Sequence, residues 1–220
     1  MFMFRHGVLG AALLCLVLST AHAAGGSYLV DDASTTPAGR CQLESWLQVF
    51  RDGRLSLTAT PACAVGNLEF SLGLTHQNIA HGNGQNPALK WRVRDGGIDG
   101  TSIALDFNSS VVGGKYTASN AYAAFSRLLD SAGRWTANLD LGVEAPRGVH
   151  RRATAGLGLE YAPAPELSLL AEHTRTAGQG SVTQGGVRWH IGANSVDLIA
   201  GASHERTTSR WITVGLNLAF

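Results

Sequence analysis

The sequence is short of several things, and each shortage excludes a class. Proline occurs only 6 times in 220 residues, and charged residues make up only 15%. The 17 Lys and Arg nearly balance the 16 Asp and Glu, so the basic excess that a nucleic-acid partner requires is missing. Past the opening residues, no apolar run approaches the roughly 20 residues of a membrane-spanning helix. There is no lipase or protease motif and no metal-ligand spacing, so neither an enzyme nor a cofactor is expected.

The opening, MFMFRHGVLGAALLCLVLSTAHA, sets the compartment. Arg5 precedes an apolar run from Gly7 to Leu18, and Ala21-His22-Ala23 puts small residues at the cleavage positions. This pattern predicts a secretory signal peptide over 1–23. Cys15 falls within it, and bulky Leu14 argues against lipoprotein processing. Loss of Arg5 brings the basic residues down to the number of acidic ones. Cys41 and Cys63 remain, and in an oxidising compartment a pair is expected, with two free thiols the alternative.

What the chain does have is glycine, 27 of it, and apolar residues dealt out singly between polar ones. In the last stretch, RWITVGLNLAF, residues Ile212, Val214, Leu216, Leu218 and Phe220 fall on one parity. A period of two makes this a β-strand with one oily face. A terminal Phe on such a strand resembles the assembly signal of Gram-negative outer-membrane barrels. The pattern predicts twelve strands: 41–50, 54–62, 67–77, 87–95, 101–109, 117–129, 134–145, 151–162, 167–176, 182–192, 195–204 and 209–220. Residues 24–40 have no periodicity and read as an extended N-terminal segment ahead of a barrel over 41–220. Connections after even-numbered strands are short and turn-rich, whereas 79–87 and 109–117 read as longer loops, the asymmetry of an outer-membrane barrel with periplasmic termini. The first hairpin, through Arg51-Asp52-Gly53, is the tight exception. If Phe50 faces Arg54, counting back along both strands puts Cys41 opposite Cys63. Pro61 is expected to end the second strand and leave Cys63 in the turn region.

The expectation is therefore an all-β, closed, antiparallel transmembrane barrel of about twelve strands, in the outer membrane and wetted by its lipids. Segments of about ten residues suffice for a tilted strand to cross the hydrocarbon, and lipid requires such a sheet to close. Trp91, Trp135, Tyr161, Trp189 and Phe220 take the oily parity and are expected in aromatic girdles. Phe220 is also the expected contact with the barrel-assembly machinery.

The stretch Tyr28 to Trp46, YLVDDASTTPAGRCQLESW, resembles the start of a proteobacterial outer-membrane family described as transporter-like proteins of the phenol-degradation meta pathway. Asp31-Asp32-Ala33 and Gln42-Leu43-Glu44 carry the likeness. It implies an outer-membrane barrel and passage of small molecules.

The opposite parity gives the candidate site. Lys90, Arg92 and Arg94 share one strand, and Arg188 and His190 another. The acids Asp106, Asp140, Glu160 and Glu172, with Glu44, Glu69, Glu144 and Asp197, come from others. Such a lumen is either a charged constriction selecting small polar or anionic solutes or a salt-bridge network that fills the barrel. Asp31 and Asp32 bring the N-terminal segment into question. It either enters the lumen and pairs with the basic strand at 90–94 as a plug, or it stays a solvated tail. A hydrolytic site at the rim would draw on Ser203, His204, Glu205, His76 and His81, but neighbours on a strand point to opposite faces, so Ser203 and His204 make no dyad. The function classes are thus a narrow passive channel or uptake protein, a filled structural or adhesion barrel, and, less favoured, a hydrolase.

Overall fold

The computed structural model describes residues 26–78, 83–97, 100–204 and 208–220. The stretch expected to be a signal peptide, His81 and Glu205 lie outside the described residues. Alternation of polar and apolar residues is realised as twelve strands: β1 (Cys41–Phe50), β2 (Leu55–Val65), β3 (Leu68–Gln77), β4 (Asn83–Arg94), β5 (Thr101–Val112), β6 (Lys115–Leu128), β7 (Trp135–Pro146), β8 (Arg152–Ala164), β9 (Leu167–Thr176), β10 (Gly180–Ile191), β11 (Asn194–His204) and β12 (Thr208–Ala219). Each pairs antiparallel with its sequence neighbours, and β1 pairs with β12 to close the barrel.

Burial is inverted relative to a water-soluble protein. Leu57, Phe70, Phe107, Leu157 and Ile212 are exposed on the outer face, whereas Glu69, Lys90, Asp106, Glu172, Arg188 and Asp197 are buried inside. Such an apolar band would be untenable in water, and it suits an outer face wetted by lipid. The aromatics expected in girdles gather at one end. Trp91 pairs with Leu68, Trp135 with Tyr161 and Trp189 with Leu167, all at the barrel end that holds Cys41 and Phe220. The Trp135 and Tyr161 rings stack at 4.4 Å.

The first hairpin closes as expected. The Arg54 carbonyl accepts from the Phe50 N–H, and Gly53 takes φ +85°. Cys41 faces Cys63 and the two form a disulfide. Two expectations need correction. Pro61 does not end β2: it stays in register with Leu43, and the ladder to β3 merely skips Thr60 and Pro61 before resuming at Ala62. Cys63 therefore lies within a strand. Nor are the hairpins far from the termini long. β5 and β6 join through Gly113-Gly114 alone, both at positive φ, as a two-residue hairpin turn of matching twist requires. β4 likewise starts at Asn83, well before Pro87.

Candidate functional site

Residues 26–38 run inside the barrel across its wall. An extended segment there has no ladder partner, so its N–H groups need acceptors, and the wall supplies carboxylates. Glu172 on β9 accepts from the N–H groups of Leu29 and Val30, each at 3.1 Å. Asp140 on β7 accepts from the Asp31 N–H at 2.8 Å, and Glu69 on β3 from the Thr36 N–H at 2.5 Å. The Ser126 hydroxyl on β6 accepts from the Ala33 N–H at 2.8 Å.

Side chains add further anchors. Lys90 on β4 donates to Asp31 at 2.8 Å and lies 3.9 Å from Asp32, and the Tyr122 hydroxyl donates to the other Asp31 oxygen at 3.0 Å. Asp32 turns the chain by accepting from the N–H and hydroxyl of Ser34. On the far wall Arg188 grips Asp197 through two donors, at 2.6 and 2.8 Å, and its guanidinium stacks on the Tyr28 ring at 4.0 Å. Ser27 donates to Asp197, and Gln184 donates to both the Ser27 carbonyl and Glu172. Val30 is fully buried against Gly156 and Gly158 of β8.

The segment lies between two cavities. One, of about 540 Å³, opens towards the end away from the termini, with Glu44, Glu69, Asp106, Asp140 and the amides Asn108 and Asn120 in its wall. The other, of about 630 Å³, faces the terminus end and is lined by Ser126, Glu160, Ser168, Arg188 and His190. Tyr28 borders both.

The sequence-predicted site residues thus separate into groups. Asp31, Asp32, Lys90, Asp140 and Glu172 meet directly around the segment. Asp106 borders the first cavity and accepts from Asn108 at 2.9 Å. Glu160 and His190 border the second, where His190 Nε2 lies 3.0 Å from the Ser168 hydroxyl. Arg92 stands apart near the terminus rim, 3.8 Å from Asp95. Arg94 departs from the expected parity. A register shift between Arg92 and Arg94 sets it opposite outward-facing Ile103, exposed and outside the lumen cluster. Sequence reasoning missed Tyr122, Ser126, Gln184 and the Gly156-Gly158 pair. Two glycines on one inward parity were the available signal for the last. His76 bonds to Asn83 on the neighbouring strand, and Ser203 and His204 take opposite faces of β11.

The architecture is that of a closed antiparallel barrel, and solved structures are similar to it in fold. The KdgM porin is similar at 10% identity and a TM-score of 0.67, over 81% of this chain and 99% of that one. The NanC porin is similar at 5% identity and 0.66, over 80% and 98%, and an outer membrane channel from Pseudomonas putida F1 at 12% and 0.58, over 86% and 98%. At these identities the likeness is one of fold. No curated protein matches the sequence. The chain belongs to the family described as uncharacterised conserved protein UCP029691, which it matches over residues 12–220.

Proposed function

We propose that this protein is a narrow passive channel of the Gram-negative outer membrane, without a cofactor or catalytic step, in which residues 26–38 act as a removable plug. The observation that carries the reading is the segment itself, held through its main chain between two cavities, with Tyr28 in the wall of both. The terminus end faces the periplasm in this reading, with Phe220 exposed there for the assembly machinery.

The solute follows from the first cavity. Its acids outnumber its cations, and Lys90 is already engaged by Asp31 and Asp32. A KdgM porin has been solved with oligogalacturonate, an anionic polymer, but an anion would meet like charge on this wall. Small neutral or cationic molecules fit better. The likeness of Tyr28–Trp46 to phenol meta-pathway outer-membrane proteins adds small neutral aromatics to that class.

One observation favours a filled structural barrel instead: along β10–β12 the polar residues Arg188, Asp197, Thr213 and Asn217 are all buried. Planar-bilayer recordings decide. The channel reading expects small, intermittent currents from the refolded protein and larger steady ones after deletion of residues 26–38. Silence from both at any salt means the barrel is filled.

A further inference from the structure

The outer face carries a second site. Between β4 and β7 the outward side chains shrink to Ser119, Ala121 and Ala145, flanked by Phe107 and Val143, and leave a groove of about 680 Å³ in the half away from the termini. Its upper edge is Arg151. That residue belongs to the β7–β8 connection, Arg147-Gly148-Val149-His150-Arg151, all of it exposed. The Arg147 N–H donates to the Thr117 carbonyl at 2.7 Å, which ties this loop to the β5–β6 hairpin and brings Lys115 to the same sector of the rim. Among the described residues, no carboxylate pairs with Arg147 or Arg151. Elsewhere round this end stand Arg51, Arg54, Arg175 and Arg210, with Asp52 bonded to Arg54 and Glu144 lying 3.8 Å from Arg152.

We propose that this groove binds a phosphorylated acyl lipid of the outer leaflet, of lipid A chemistry. Arg147, Arg151 and Lys115 take the phosphate, and the channel between Phe107 and Val143 takes an acyl chain. Arginine forks match phosphate oxygens with paired donors, and a basic cluster at the hydrocarbon boundary is where a lipid headgroup sits. The groove continues downward from the cation into apolar surface, as a chain attached to that headgroup requires. A free anion would have no use for the apolar half. The inference rests on the reading that the end away from the termini faces outward, which labelling of a Val149→Cys variant on intact cells reports separately.

The test uses the full-length mature protein in neutral detergent. Binding of bisphosphorylated lipid A is compared with its dephosphorylated form, with phosphatidylethanolamine and with inorganic phosphate. The phosphorylated lipid should bind about tenfold or more tightly than either lipid control, and inorganic phosphate should not displace it. Arg147→Gln with Arg151→Gln should remove that preference, and Ala121→Phe, which fills the groove, should weaken binding while the phosphate preference stays. Heat-modifiable gel migration confirms that each variant folds. Equal binding of all three lipids, displacement by inorganic phosphate, or an unaffected double variant overturns the proposal. Bilayer currents keep the two readings apart: normal current without lipid preference sinks this inference alone, and lipid preference without current sinks only the channel.

Discussion

Val30 sits in a notch cut into the barrel wall by Gly156. A Cβ added at Gly156 would come within 3.0 Å of Val30 Cγ2, and one at Gly158 within 3.4 Å of Val30 Cβ. The wall is thus shaped to the Val30 side chain, separately from the hydrogen bond that the Val30 N–H gives Glu172. Gly158→Leu should therefore unseat the segment without altering it. Overpacking costs about 1–3 kcal/mol, enough to shift a closed population by about tenfold or more. Bilayer recordings should show longer open times with an unchanged unitary current, and unchanged open times would mean that Val30 does not hold the closed state.

Lys90 tests the electrostatic anchor. Its side chain is 8% exposed and that of Asp31 is 18%, so the pair is shielded from water. Removing one partner of a buried pair leaves an uncompensated charge, at a cost of about 3–5 kcal/mol. Lys90→Met should open the channel strongly, whereas Lys90→Met combined with Asp31→Asn should restore much of the closure. Open probability across the four-member cycle measures the coupling; additive effects would show that the contact contributes nothing to closure.

The disulfide makes a prediction about the barrel rather than the segment. It joins positions 22 residues apart, and on the chain-entropy model such a loop is worth about 3 kcal/mol. The double replacement Cys41→Ser and Cys63→Ser should lower the urea midpoint accordingly while leaving heat-modifiable migration intact. Gating should change little, because the segment leaves the lumen on main-chain bonds between Gly39 and Ala64 and between Arg40 and Ala64.

Asp130 gives a pH dependence outside the spanning strands. Its carboxylate accepts from the Trp135 N–H at 2.9 Å and the Arg134 N–H at 2.8 Å, and these bonds hold its pKa below the usual aspartate value. A depressed pKa means the carboxylate steadies this turn fully above about pH 3.9, the ordinary value, and loses that contribution as pH falls through the lower folded value. The Trp135 amide resonance should titrate with a midpoint below that of a free aspartate and stop titrating in Asp130→Asn. A midpoint at or above the ordinary value would contradict the assignment.

Much of this was legible in the sequence. The alternation at Leu68, Phe70, Leu72 and Leu74 gave β3 its faces, and the tight turn after Phe50 gave the Cys41–Cys63 register. The misreadings have physical causes. Gly113-Gly114 looks like part of a loop because glycine serves loops and two-residue hairpins alike. Pro61 looks like a strand end, yet the lost N–H weakened the ladder on one side only. Arg94 followed the alternation until a bulge shifted it, and nothing in WRVRD announces a bulge. The candidate site was legible as a set of inward charges, not as an arrangement. That Glu172, Asp140 and Glu69 receive amide hydrogens of residues 29–36 depends on contacts between positions more than 30 apart in the chain, which periodicity does not encode.

Those amide contacts also say what kind of peptide the barrel tolerates. A carboxylate that receives a main-chain hydrogen is indifferent to the side chain attached beside it, so Leu29 is free to vary in size or polarity while the grip stays the same. What these amide contacts refuse is proline at Leu29, Val30, Asp31 or Thr36, where the hydrogen itself disappears.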